Sequence, residues 1–271
     1  MHTLLYAALP LFVGMVAVVA QGAGGDPPAD VRKDLAPGGK LRAALNLGNS
    51  VLVQTDAATG LPKGVTPDLA RELGRRLGVP VEFVTFDAAG KVFDAAKSGA
   101  WDIAFLAIEP VRAAKIEFTA PYVLIEGTYM VPAESPLHTI ADVDRAGIRI
   151  AVGLGSAYDL YLSRTIKNAT IVRATAGGGS EMIELFVKDR LEVAAGVRQP
   201  LLAYAATHPE VRVMDGRFMD IRQAMGTPRG RTAGARYLAA FVEDMKASGF
   251  VAEALKRSNQ SAAVAPPAAA N

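Results

Sequence analysis

GAWDIAFLAIEPVRAAKIEFTAPY, residues 99–122, carries much of what this chain says about its own architecture. Ser98-Gly99 ends a helical run over residues 93–97, and residues 103–108 form an unbroken apolar run of strand length. A run without polar alternation reads as a strand covered on both faces, as in a parallel sheet flanked by helices. Glu109-Pro110-Val111-Arg112 then leaves that strand as a loop. Trp101, between a helix stop and a buried strand, is expected to seal the core, and Tyr122 to pack rather than to face a ligand.

Outward from this stretch the same grammar repeats. Residues 40–45 read as a first strand, and Thr66-Pro67-Asp68 opens a helix. Thr66 suits its cap, Pro67 its first turn, and Asp68 the positive end of its dipole. Leu69, Leu73 and Leu77 line one face and Gly78 ends it. A strand over 81–86 follows. Further on, a strand over 148–152 meets the turn Gly153-Leu154-Gly155-Ser156 and a helix carrying Tyr158, Leu160 and Leu162. A strand over 170–173 leads through Gly177-Gly178-Gly179-Ser180 into a helix ending near residue 187. Strands over 193–197, 211–214 and 221–225 come next, then helices over 235–245 and up to residue 257. Alternation of this kind defines an α/β class. Two such units with a crossing near residues 124–128 imply two lobes and a hinge.

Composition narrows the function classes. Of 271 residues, 51% are apolar and 21% charged, too apolar for a disordered chain and long enough for two cores. The formal net charge is +2 and the basic residues are dispersed, so no phosphate-tracking stripe exists and nucleic acid is not an expected partner. Cysteine is absent, which excludes disulfides and thiolate metal sites. Residues 4–20 are nearly all apolar, and Val18 and Ala20 suit the positions before a signal peptidase cut. Residues 1–20 are therefore expected to be a signal peptide, although the n-region holds only His2 and a retained anchor is the competing reading. Residues 21–34, rich in Gly, Pro and Ala, read as a linker, and the Ala/Pro-rich 258–271 as a disordered tail.

Four segments occur in register: Gly64-Val65-Thr66-Pro67-Asp68-Leu69-Ala70, Gly99-Ala100-Trp101-Asp102-Ile103-Ala104, Arg112, and Ile116-Glu117-Phe118-Thr119-Ala120-Pro121-Tyr122. Over roughly residues 41–255 the chain resembles the extracellular solute-binding proteins of family 3, the amino-acid-type periplasmic receptors of ABC transporters. The resemblance implies two Rossmann-like lobes joined by a two-strand hinge, the type II periplasmic binding fold. Residues 35–124 plus 220–257 would form the first lobe and residues 125–219 the second, with the ligand between them.

The resemblance also implies site residues. Arg112 falls where the family keeps an arginine that grips the ligand carboxylate, and a planar guanidinium binds a carboxylate through two parallel hydrogen bonds. The competing reading pairs Arg112 with Glu109 or Glu117. Gly155-Ser156-Ala157 would bring amides and a hydroxyl to the acidic group at a helix N-terminus, or Ser156 would merely cap that helix. Gly177 to Ser180 reads as an anion nest or a plain strand-to-helix loop. Asn46 stands where many members have Asp, Asn49 where an aromatic commonly stacks, and Ala107 where Ser or Thr is usual. No acid matches the one that binds an α-ammonium: Val197 stands there, beside Arg198. Arg112 with Arg198 favours an anion lacking an α-amino group, unless Glu109 or Glu126 supplies the missing charge.

The function implied is capture of a small carboxylate-bearing solute, an organic acid or amino acid, in the periplasm and its delivery to the membrane subunits of an ABC importer. The protein would act as a monomer, without cofactor or metal, and not as an enzyme. One alternative is a ligand-free periplasmic partner of a dehydrogenase or signalling complex. Another is a dehydratase-like enzyme on the same fold, whose acid–base chemistry would have to come from Glu109 or Glu126, because His138 and His208 read as loop residues. No His/Cys cluster exists, Gly226 to Thr232 lacks the phosphate-loop lysine, and Gly153-Leu154-Gly155 lacks the third glycine of a dinucleotide fingerprint.

Overall fold

The computed structural model describes residues 27–175 and 178–269. The expected signal peptide, residues 21–26 of the expected linker, and Gly177 lie outside the described residues. The first half comprises α1 (Ala29–Leu35), β1 (Leu41–Asn46), a hairpin of β2 (Gln54–Thr55) and β3 (Pro62–Lys63), α2 (Val65–Leu77), β4 (Val81–Phe86), α3 (Ala89–Ala95), β5 (Ile103–Ala107) and the short turn α4 (Pro110–Ala113). The long strand β6 (Ile116–Pro132) leads to β7 (Arg149–Gly153), α5 (Ala157–Thr165), β8 (Thr170–Ala174), α6 (Gly179–Lys188), β9 (Val193–Val197), α7 (Arg198–Ala205) and β10 (Val211–Val213). Strand β11 (Met219–Pro228) returns to the first half, followed by α8 (Thr232–Ala247), α9 (Phe250–Arg257) and β12 (Ala263–Val264).

The sheet order β4-β1-β5-β11-β6-β9-β7-β8 divides naturally. β1 is parallel to β4 and β5, and β7 is parallel to β8 and β9. Each parallel trio gains one antiparallel neighbour, β11 beside β5 and β6 beside β9. β6 and β11 pair with each other from Gly127↔Met219 to Ile116↔Pro228. The architecture is α/β, two Rossmann-like lobes joined by a two-strand hinge.

Burial follows the apolar pattern. All five residues of β5 are buried, as an unalternated central strand requires. Leu69, Leu73 and Leu77 are fully buried on the inner face of α2, and Gly78 caps it at φ 67°. Trp101 is fully buried and donates its indole N–H to Val92 O at 2.9 Å. Tyr122 is also fully buried, edge-on to Phe105. Asp102 anchors the first lobe: its carboxylate, with no exposure, accepts from Arg42 at 2.8 Å and Arg231 at 2.9 Å.

Four local expectations are corrected. Thr66 does not cap α2, which starts two residues earlier than expected with Gly64 at its N-cap; the Thr66 hydroxyl instead donates to Leu52 O. Residues 29–34 are not linker but most of α1, because Val31 and Leu35, four apart, form an apolar pair that packs on α8. Residues 109–112 enter a turn of helix rather than a loop, with Pro110 at its start. The tail is ordered over its described part. Ala263 and Val264 pair with Leu124 and Val123, and Ala265 is buried, its N–H bonded to Tyr122 O at 3.0 Å. The edge of β6 there lies beyond the reach of β9, so its backbone groups are met by the tail.

Candidate functional site

A cavity of about 570 Å³ lies between the lobes. The ends of β1 and β5 contribute Asn46, Asn49, Phe105 and Ala107, and α4 contributes Arg112. From the second lobe come Ser156, Ala157 and Tyr158 at the start of α5, Glu181 and Met182 on α6, and Val197, Leu201 and Tyr204 around α7. Gln223 and Ile221 of β11 form part of the wall at the hinge. Ligands in α/β sheets gather at the carboxyl ends of strands, and these residues obey that rule.

Arg112 is the most confined of these groups, 1% exposed. The turn α4 folds its side chain back beneath β5. One terminal nitrogen donates to Ala107 O at 3.0 Å, and the other reaches across the cleft to Gly155 O at 2.8 Å. Its Nε is buried without a partner. Burial pulls the guanidinium down to about 10, against the opposing charge of Glu109, yet it stays protonated at neutral pH. A buried cation served by two neutral carbonyls, with its Nε–H unmet, is a site prepared for an anion.

The two lobes touch elsewhere. Arg164 of α5 pairs with Glu109 at 2.7 Å. Backbone meets backbone at Gly48 and Gly178, where a Cβ on Gly178 would stand 2.5 Å from Gly48 Cα. A second close pass joins Gly90 to Gly155, which sits at φ +69°. The cleft is therefore in a closed state.

The structure brings Asn46, Asn49, Ala107, Arg112, Ser156 and Ala157 to the cavity, with Gly155 at its edge through the Arg112 bond. Asn46 is engaged locally, its Oδ1 accepting from Gly48 N at 3.1 Å. Ser156 caps α5 by accepting from Asp159 N, so the capping reading holds beside its place in the wall. Gly178, Gly179 and Ser180 also line the cavity.

Glu109 and Arg198 are placed elsewhere, which corrects the expectation for both. Glu109 is buried, drawn into the inter-lobe ion pair with Arg164. Arg198 points to the hinge, where it pairs with Glu126 and donates to Gly216 O; Arg217 joins Glu126 from the other side. Glu126 is committed to these arginines and does not line the cavity. Sequence reasoning missed Gln223 and Glu181. For Gln223 a signal existed: the alternation Ile221, Gln223, Met225 puts it on the inward side of its strand, opposite exposed Arg222.

Among the described residues no group of three or more His, Cys, Asp or Glu could hold a metal, and no helix is long and apolar enough to cross a membrane.

Two lobes closed on a solute-sized cavity, joined by a pair of strands, define the class of two-lobed binding proteins. The chain belongs to the bacterial extracellular solute-binding proteins, family 3, whose profile matches residues 51–259. Several solved structures share the fold. A mutant of ArgBP from T. maritima is 18% identical, with a TM-score of 0.71 over 84% of this chain and 99% of that one. A solute receptor for L-cysteine of Neisseria gonorrhoeae is 20% identical, with a TM-score of 0.70 over 81% and 89%. An ancestral amino acid-binding protein, a precursor of cyclohexadienyl dehydratase, is 23% identical, with a TM-score of 0.67 over 81% and 95%. At these identities the likeness shows the fold alone. No curated protein matches the chain.

Proposed function

We propose that this protein captures a small carboxylate-bearing solute, an organic acid or amino acid, between its lobes in the periplasm and delivers it as a monomer to an ABC importer. Residues 35–124 with 220–257 would move as one lobe and residues 125–219 as the other, and residues 1–20 would direct export. The observation that carries this reading is the buried guanidinium of Arg112, whose Nε has no partner while the residue faces the cavity. An anion there would gain charge-assisted hydrogen bonds in a dry setting. Ser156 and Ala157, at the N-terminus of α5, would add the favourable end of a helix dipole from the opposite wall. Solutes named for the structural neighbours, arginine and L-cysteine, are carboxylates and consistent with this site. The role is binding rather than catalysis, since Glu109 and Glu126, the acids considered for proton transfer, are engaged in ion pairs.

One observation favours a second reading, a ligand-free partner protein: both terminal nitrogens of Arg112 are already engaged within the chain, by Ala107 O and Gly155 O. A thermal-shift screen of the exported chain against amino acids, dicarboxylates and aromatic acids separates the two. A solute that binds only the folded form adds about 2.7 kcal/mol at a hundredfold excess over Kd. Capture predicts at least one raised Tm, abolished in Arg112→Ala. Silence across the panel favours the partner reading.

A further inference from the structure

We propose that the C-terminal segment, residues 261–268, is a strap that confines the bending of hinge strand β6 and so limits how far the lobes open. The strap acts on the hinge itself, whatever solute the cleft accepts. β12 pairs with β6 at Ala263↔Leu124 and Val264↔Val123, and the Ala265 N–H continues the ladder to Tyr122 O at 3.0 Å. Val123 also pairs with Gln223 of β11, so β12 lies on the edge of β6 opposite β11. Gly127 pairs both with Met219 of β11 and with Val197 of β9, which puts β9 on that same edge. The tail and the second lobe thus meet the hinge strand end to end, and only Ile125 and Glu126 lie between their pairings.

The tail is fastened in place by side chains as well as by its ladder. Ala265 is buried and Val264 packs against the core. Lys246 of α8, its side chain 4% exposed, donates to Pro121 O at 3.2 Å and to Pro266 O at 2.8 Å, so one ammonium joins the hinge strand to the tail. Glu243 holds that ammonium at 2.7 Å and accepts from Ala268 N at 3.2 Å. Hinges move by large backbone changes in a few residues, and strand pairing decides which residues are free to change. Among the described residues no other strand pairs with this edge of β6 before Gly127. Without the tail, bending would spread along the first-lobe part of β6; with it, the free length on this edge is two residues. One of these, Glu126, is itself gripped by Arg198 and Arg217.

The test measures lobe separation in the solute-free exported chain, so its result does not depend on capture. The chain has no cysteine, so Lys97→Cys and Lys188→Cys, both at exposed positions, put one spin label on each lobe. Distances between the labels are read by double electron–electron resonance in the full chain, in the chain ended at Gln260, and in full-length Lys246→Met. The expected result is a distribution that broadens and shifts to longer distances in the shortened chain, and in the same direction but less in Lys246→Met. A superimposable distribution in a shortened chain that still unfolds cooperatively overturns the proposal. A fall of Tm in both variants with no change of distance also overturns it, because the tail would then only stabilise the first lobe. Should the shortened chain not fold, Lys246→Met decides: a shift to longer distances supports the strap, and an unchanged distribution overturns it.

Discussion

Arg112 and Asp102 show two ways of burying a charge. Asp102 has no exposure but is enclosed by Arg42 and Arg231, so its charge is answered within the first lobe. Burial alone would raise its pKa, yet the hydrogen bonds from Arg42 and Arg231 hold it below the ordinary carboxylate value. A depressed folded pKa contributes stability above the unfolded value, about 3.9, and that contribution is lost as pH falls through the lower folded value. Asp102→Asn is expected to cost about 3 kcal/mol at neutral pH, measured by urea unfolding, because two arginines lose their counter-charge. The variant should also lose part of the acid-induced fall in stability below pH 4. Arg112, answered only by carbonyls, is the group that needs something from outside. The place of Arg112 at the cavity was legible because its position is framed by Pro110 and by a buried strand, whereas the places of Glu109 and Arg198 were not. Sequence tells that an ionisable group exists, but its partner, Arg164 or Glu126, comes from distant chain. Gln223 was overlooked because a polar residue in a strand reads as solvent-facing until the fold covers it.

At the level of elements, strands with unbroken apolar runs were the most legible. The boundaries of residues 193–197 coincide with β9, whose apolar run fits the inside of the sheet, and those of 81–86 with the edge strand β4, where Glu82 and Thr85 break the run. The long strand β6 was read only as a crossing near 124–128, since its pairing changes along its length from β11 and β12 to β9 and β10. Composition misled at both ends of the chain. Ala- and Pro-rich segments read as linker and tail, yet Val31, Leu35 and Ala265 find cores that other elements build. Lys246 completes the docking of the tail by donating to Pro121 O and Pro266 O. The Gly-rich entry to α6 has a physical reason visible only in three dimensions. Gly178 passes so close to Gly48 that a methyl group would hold the lobes apart. Gly178→Ala is therefore expected to leave the melting temperature of the free protein within about 2 °C while weakening solute binding tenfold or more, as seen by titration. Unchanged affinity would mean that closure does not require this contact.

For the whole molecule, two parallel trios share a pair of antiparallel strands, and the cavity lies where their carboxyl ends converge. Closure is supported by direct bonds between lobes, Arg112 to Gly155 O and Arg164 to Glu109. A solute would enter by competing with the first of these, so binding and closure share one residue. The general plan was legible from four short motifs in register, because they mark the strands and turns that build the first lobe. The solute was not, because the second-lobe wall is assembled from the starts of α5, α6 and α7, whose mutual arrangement no local pattern encodes. The measurement that bears most directly on capture at Arg112 is a calorimetric titration of the best carboxylate from the screen into the unaltered chain and into Arg112→Ala. The account predicts one solute per chain and a loss of about a hundredfold in affinity when the guanidinium is removed. Equal affinity in the two proteins would contradict it.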